Sequence, residues 1–274
     1  MEKVKRISIF LITTFMCIML CGCNIQGVQD TLSEITDKDA WITASVATTE
    51  KRTEENTIYD IAVPEDNAKS DEKNDKTETL QIPVYSGKLS VIVNNNVPDL
   101  DKKDAENGTF TNLSELDNLG RCGTAYMCAG PETLATEERG EIGHVKPSGW
   151  HTVKYPEVIP DRYLYNRSHL LMYALSGLND DERNLITGTR QLNADRYAGM
   201  LHYENIVLDY IKETGNHVLY KVTPVFSGSD LLANGVLMEA LSVEDDDVSF
   251  CVFVYNVQDG INIDYATGES NLAE

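Results

Sequence analysis

Apolar residues change their spacing several times along this chain, and each change predicts a different element. Leu89 to Val93 is a short apolar run that ends in Asn94-Asn95-Asn96-Val97-Pro98, so a strand closed by a turn is expected there. Asp117 to Gly120 reads as a second turn. The stretch from Val158 to Leu170 reads as extended, and Asn184 to Thr187 is a brief apolar piece closed by Gly188. From Gly199 the period lengthens. Met200, Tyr203, Ile206, Val207, Tyr210 and Ile211 recur at steps of three and four, the pattern of a helix that buries one face, and Gly215-Asn216 stops it. His217 to Phe226 and Phe250 to Gln258 are rich in Val, Tyr and Phe and read as strands. No segment repeats. Strands and helices mix without a regular β-α-β alternation, so the expected class is α+β rather than a doubly wound sheet.

The first residues follow another pattern. Lys3, Lys5 and Arg6 precede an apolar run from Ile7 to Cys21, which reads as a secretory leader too short to span a bilayer comfortably. The run ends in Leu20-Cys21-Gly22-Cys23, which resembles the lipobox of bacterial lipoproteins. That reading puts a lipid on Cys23 and the mature protein at the outer face of the cell membrane; an ordinary cleaved leader would release it instead. Residues 24 to 84 hold 14 Asp and Glu against 6 Lys and Arg, with no sustained apolar period, the composition of a flexible acidic tether. The expected layout is a leader over 1–22, a tether over 23–84 and a folded domain over 85–274.

Composition narrows the function. At 274 residues and 42% apolar content the chain can build one sizeable core or two small ones. A net charge of -21 argues against a broad basic surface that holds nucleic acid passively, so any site for a polyanion must be local. Cys122 and Cys128, six apart in an exported domain, admit either a short disulfide or two free thiols; Cys251 lies in an apolar strand and is expected to be buried. A zinc site built from these with His144 or His151 lacks the paired spacing such sites use. His151, beside Trp150, and His217, opening a strand, read as structural. Asp245-Asp246-Asp247 reads as a solvated loop rather than a calcium site.

The densest chemistry lies in YLYNRSHLLMYALSGLNDDERNLITGTRQLN, residues 163 to 193. Hydrolysing a phosphodiester requires a group that takes a proton from water, a cation against the charge growing on the phosphoryl oxygens, and a grip on the phosphate. His169 fits the base, because a neutral imidazole works near pH 7. Arg167 fits the clamp, and in an extended backbone it shares a face with His169. Asn184 and Asn193 flank Thr187-Gly188-Thr189, read as a tight turn that brings both back to one cleft. An amide oxygen is a hard, neutral ligand suited to Mg²⁺, which keeps several waters, and Glu204 on the helix can reach that water shell.

Tyr165-Asn166-Arg167-Ser168-His169-Leu170, Asn184-Leu185-Ile186-Thr187-Gly188-Thr189-Arg190-Gln191-Leu192-Asn193, Gly199-Met200 and Tyr203-Glu204 together resemble the DNA/RNA non-specific endonuclease family. The likeness is to its secreted streptococcal-type DNases in particular, and it runs from about Ser90 to Ser270. The resemblance implies the ββα-metal (His-Me finger) fold with a central antiparallel sheet, in an α+β domain. It implies His169 as general base, Asn193 as the protein ligand of a single Mg²⁺ (with Mn²⁺ as a substitute ion), Asn184 as a support of the site, Glu204 on metal-bound water and Arg167 on phosphate. Arg162 and Arg190, with Arg196, would set the local sign for a nucleic-acid substrate, DNA with RNA as a second candidate. Cleavage outside the cell, largely independent of sequence and leaving a 5′-phosphate, follows from the same resemblance. Two positions depart from it. The commonest motif is Asp-Arg-Gly-His, where this chain has Asn166-Arg167-Ser168-His169, and the segment Ala194 to Ala198 is a few residues longer, which bears on the position of Glu204. The competing readings are a catalytically silent nucleic-acid-binding surface lipoprotein and a nuclease toxin.

Overall fold

The computed structural model describes residues 81–160 and 162–274; the leader, Cys23 and the acidic stretch to residue 80 lie outside the described residues. Within them, β1 (Ser90–Ile92), β2 (Phe110–Leu113), β3 (Ala125–Ala129), β6 (Val218–Val225), β7 (Gly235–Ser242) and β8 (Ser249–Tyr255) form one antiparallel sheet in the order β1-β8-β7-β6-β3-β2. Two further strands, β4 (Tyr165–His169) and β5 (Leu185–Thr189), pair with each other apart from that sheet, and β9 (Ile261–Ile263) and β10 (Ser270–Leu272) make a third, small pair. Among the described residues the α-helices are α1 (Tyr173–Ser176), α2 (Arg190–Ala194) and α3 (Met200–Thr214).

Strict alternation sets the two faces of the central sheet. Val218, Tyr220 and Val222 of β6 lie opposite Ser242, Ala240 and Met238 of β7, and all of these but Ser242 share one apolar core with Val207, Leu208 and Ile211 of α3. The other face carries a charge pair. Lys221 stands opposite Glu239 in the register, with Nζ 2.9 Å from Oε2, and Glu239 is 2% exposed. The chain at Asp99 closes over it: its N–H donates to Glu239 Oε1 at 2.7 Å and its carbonyl accepts from Lys221 Nζ at 2.8 Å, so neither ion is buried without partners. Further along that face Ile82, 3% exposed, packs with Val93, Phe253 and Tyr255, and the Tyr255 hydroxyl donates to the Pro83 carbonyl. Among the described residues, packing against the sheet therefore already includes Ile82, ahead of Tyr85.

Helix α3 ends as its sequence predicts, at Gly215 with φ 77° and its N–H on the Ile211 carbonyl, a left-handed conformation that glycine adopts without penalty. Its buried stripe is shifted from the apolar pattern. Ile206 is half-exposed, and Met200, Glu204, Val207, Leu208 and Ile211 face inward, because a carboxylate occupies one position of the buried face. Val158 to Leu170 is extended only over β4; Pro156 and Pro160 interrupt any ladder before it, and Val158 and Ile159 turn back on the Tyr155 carbonyl. The two thiols are free. Cys122 belongs to the core with Ala125, Met127 and Ala129, and Cys128 is out of phase with that set, on the opposite side of β3.

Thr187-Gly188-Thr189 is strand, not turn. Gly188 lies opposite Asn166 across the β4–β5 pair, and a Cβ there would sit 2.2 Å from Ser168 Oγ and 2.9 Å from its Cβ. The glycine is required by the close approach of a serine in the neighbouring strand. Gly188→Ala is expected to cost about 1–3 kcal/mol through overpacking, and adding Ser168→Gly to restore most of it; a double-mutant cycle of urea melts reads the coupling. Additive losses would show that the strain arises elsewhere.

Candidate active site

Helix α2 follows β5 directly, so β4, β5 and α2 form one β-β-α unit. Thr189 caps α2 by accepting from Leu192 N at 3.0 Å. Asn256, fully buried just past β8, ties the unit to the main sheet: its Oδ1 accepts from Thr189 N at 2.8 Å and its Nδ2 donates to the carbonyls of Thr187 and Ala233. No apolar period points to Asn256, and only its polarity at the end of an apolar strand marks it in the sequence.

Tyr165, Arg167 and His169 alternate along β4 and all line a cleft of about 820 Å³. His169 is 7% exposed. Its Nε2 lies 2.8 Å from the Asn179 carbonyl and its Nδ1 3.3 Å from Arg139 Nη2. A carbonyl only accepts and a guanidinium only donates, so the proton sits on Nε2 and the lone pair of Nδ1 faces Arg139. Burial, with Arg139 adding to it, pushes the imidazole pKa down to about 4, which keeps the ring neutral near pH 7.

The two asparagines part company. Asn193, on α2, lines the cleft, and its amide makes no hydrogen bond to the described residues. Asn184 is fully buried, with Oδ1 accepting from Leu171 N at 2.8 Å and Nδ2 donating to Leu171 O at 3.0 Å. It fixes the chain two residues after His169 and takes no place in the cleft wall, because β5 runs straight where a turn was expected. Glu204 does reach the cleft. The longer segment before α3 is taken up in a turn in which Asp195 Oδ1 accepts from the N–H groups of Tyr197 and Ala198. Glu204 is 6% exposed, and burial raises its carboxyl to about 8, Arg139 pulling the other way.

Arg167 is held more firmly than a free clamp. Its Nε donates to the Val145 carbonyl and its Nη2 to Gly143 O at 2.8 Å, while the guanidinium stacks 4.0 Å over Trp150. Those two bonds engage Nε and Nη2 and not Nη1. Arg162 and Arg190 line the cleft; Arg196 is exposed and outside its lining. Arg139, which the sequence pattern did not single out, completes the set. It stands in a loop with no period, and its one local sign is Gly140 behind it, where a Cβ would meet Asn179 Nδ2 at 2.9 Å. Arg139, Arg162, Arg167 and Arg190 thus share a cleft with Glu204, the one carboxylate of its lining among the described residues, in a protein of net charge -21.

The donor set fits a hard divalent cation that keeps most of its waters. Asn193 offers an unengaged amide oxygen and Glu204 a carboxyl, and no group of three His, Cys, Asp or Glu among the described residues could enclose a metal, which leaves out a closed thiolate and imidazole site. His144 and His217 meet carboxylates instead, His144 with Asp180 and His217 with Glu132 and Glu244, and His151 lies 3.1 Å from the Thr267 carbonyl. Asp245 accepts from Tyr210 and Asn216, and Lys102 bridges its carbonyl to Asp246.

A family model described as DNA/RNA non-specific endonuclease matches residues 101–244, which include His169, Asn193 and Glu204. A deoxyribonuclease of Streptococcus dysgalactiae subsp. equisimilis is 39% identical over 108 residues, 39% of this chain and 32% of that protein. The chain thus aligns with roughly a third of that relative's length. Among solved structures, NucA from Streptococcus agalactiae with magnesium ion bound has a TM-score of 0.59 at 26% identity, covering 66% of this chain and 87% of that one. Sda1 nuclease with bound zinc ion has a TM-score of 0.58 at 29% identity, covering 68% and 97%.

Proposed function

Because the chain belongs to the DNA/RNA non-specific endonuclease family, with its ββα-metal fold, we propose that it is a metal-dependent endonuclease that hydrolyses DNA, with RNA as the second substrate to test. One observation carries the reading: a neutral imidazole, tautomer fixed by the Asn179 carbonyl, turns its lone pair into a cleft of four arginines in an acidic protein.

In this reading His169 Nδ1 takes the proton of the attacking water, and the Asn179 carbonyl steadies the imidazolium so formed. Arg139 donates to that same Nδ1 when no substrate is present; a phosphoryl oxygen gives it a better acceptor and frees the base. Arg190 and Arg162 hold neighbouring phosphates, and Arg167, locked on the 143–145 carbonyls, keeps Trp150 and the cleft wall in place as well as offering Nη1. Asn193, with Glu204 acting through water, would hold the divalent cation, Mg²⁺ by its donor chemistry, which supplies charge neutralisation at the phosphoryl and departing oxygens. Contacts to phosphate rather than to base edges make cleavage largely sequence-independent. The leader and Leu20 to Cys23 put this activity outside the cytoplasm, on the lipid-anchor reading at the membrane's outer face.

Digestion of plasmid and of RNA by the purified protein, with Mg²⁺, with Mn²⁺ and with chelator, tests the reading. Cutting that needs the metal is expected; a folded protein that cuts neither polymer over a range of salt and pH would turn the assignment to a silent binding module. Asn193→Ala is expected to raise the Mg²⁺ concentration for half-maximal cleavage by about ten-fold or more. An unchanged metal requirement would remove Asn193 as the ligand.

A further inference from the structure

The cleft does not end at the imidazole. Ahead of β4 in the chain, Arg162 and Tyr163 line it as well, and so does Trp150. Tyr163 is 49% exposed, and Lys154 Nζ lies 4.4 Å from its ring centroid. Trp150 is covered in the same way by the Arg167 guanidinium at 4.0 Å. A single exposed tyrosine means nothing by itself. Here, however, two aromatic rings, each with a cation on its face, line one cleft that also holds Arg162 and Arg190.

Rings interleaved with cations match one ligand chemistry. A single strand of nucleic acid presents the faces of its unpaired bases to aromatic side chains and its phosphates to lysine and arginine, whereas a closed duplex hides those faces in its own stack. Each ring has a cation on one face, but Trp150 is partly buried under Arg167 whereas Tyr163 is 49% exposed, so Tyr163 is the ring with more surface left for a base. It lies six residues before His169, a span of at most about 20 Å were the chain fully extended, within a few nucleotides of the bond that His169 would act on.

We propose that Tyr163, flanked by Lys154 and Arg162, forms a stacking subsite for an unpaired base of the strand being cut, so that the protein favours single-stranded or locally opened nucleic acid over closed duplex. The proposal rests on the nuclease reading for the strand's place at His169. It concerns binding, which can be measured without cleavage.

The test uses the full chain carrying His169→Ala, so that bound strands survive. Fluorescence anisotropy compares a short labelled oligothymidylate with an abasic strand of equal length and charge, and an oligouridylate tells whether a ribose strand is taken as well. The base-bearing DNA strand is expected to bind about ten-fold more tightly than the abasic one. Adding Tyr163→Ala should remove most of that difference, and Tyr163→Phe should keep it, because the ring and not the hydroxyl does the stacking. Equal affinities for base-bearing and abasic strands, or a difference that survives Tyr163→Ala, would overturn the subsite. Plasmid digestion by the unsubstituted protein runs beside it. Base-dependent binding without digestion sinks the nuclease reading alone, and digestion without base dependence sinks the subsite alone.

Discussion

His169→Ala is expected to lower cleavage by about a hundred- to ten-thousand-fold, the range for loss of a positioned general base, and to leave a folded protein. The side chain is nearly buried but is held at one edge by the Asn179 carbonyl and at the other by Arg139, so its removal empties a polar corner of the cleft rather than the apolar core. Its titration gives a second readout. Burial holds the imidazole at about 4 against an ordinary 6.5, so the base is ready throughout the neutral range, and kcat/KM should fall on the acid side only as pH drops towards 4. Stability has the same sign. Between about 6.5 and 4 the unfolded chain binds the proton that the folded one refuses, so stability is full above 6.5 and is lost as pH falls, by about 3 kcal/mol in all. Acid melts of the His169→Ala protein should lack that component. Cleavage at the unsubstituted rate by His169→Ala would remove the mechanism.

Glu204→Gln is expected to make the metal-free protein more stable in alkali while it lowers activity. Burial raises the Glu204 carboxyl from an ordinary 4.5 to about 8, which means that the folded protein keeps a proton that the unfolded chain gives up from about pH 4.5 upward. The stability tied to that proton is full below 4.5 and is lost as pH rises through 8, to a total of about 5 kcal/mol at most. Glutamine has no proton to lose. In chelator the two proteins should melt alike near pH 4 and separate by several kcal/mol at pH 9, the variant above. With Mg²⁺ the order should reverse in function, since the cation draws on the carboxylate. Parallel pH–stability curves for the two proteins would mean that another buried group carries the alkaline loss.

Much of the site is legible in one short segment because its groups are close along the chain. A period of two puts Arg167 and His169 on one face of β4, and the helix that starts at Arg190 carries Asn193 round to the same cleft. A turn stop at Gly215 and a run of three asparagines with positive φ at 94 to 96 are equally local, and both lie where the sequence puts them. Strand β7 was not expected at all. Glu239 interrupts its apolar alternation, and only the facing Lys221 and the chain at Asp99 make a charge acceptable there.

Residue type and spacing thus determined the α+β class and singled out His169, Asn193 on α2 and Glu204 on α3, which share one cleft, since the direction of a side chain depends on its own element. Tertiary structure decided what lies against each of them. Arg139 meets His169 across 30 residues and Asn256 clamps Thr189 across 67; Arg167 gives two donors to loop carbonyls, and Asn184 turns inward to Leu171. Local periodicity carries no record of such partners, because chain closure, not the neighbouring sequence, brings them together.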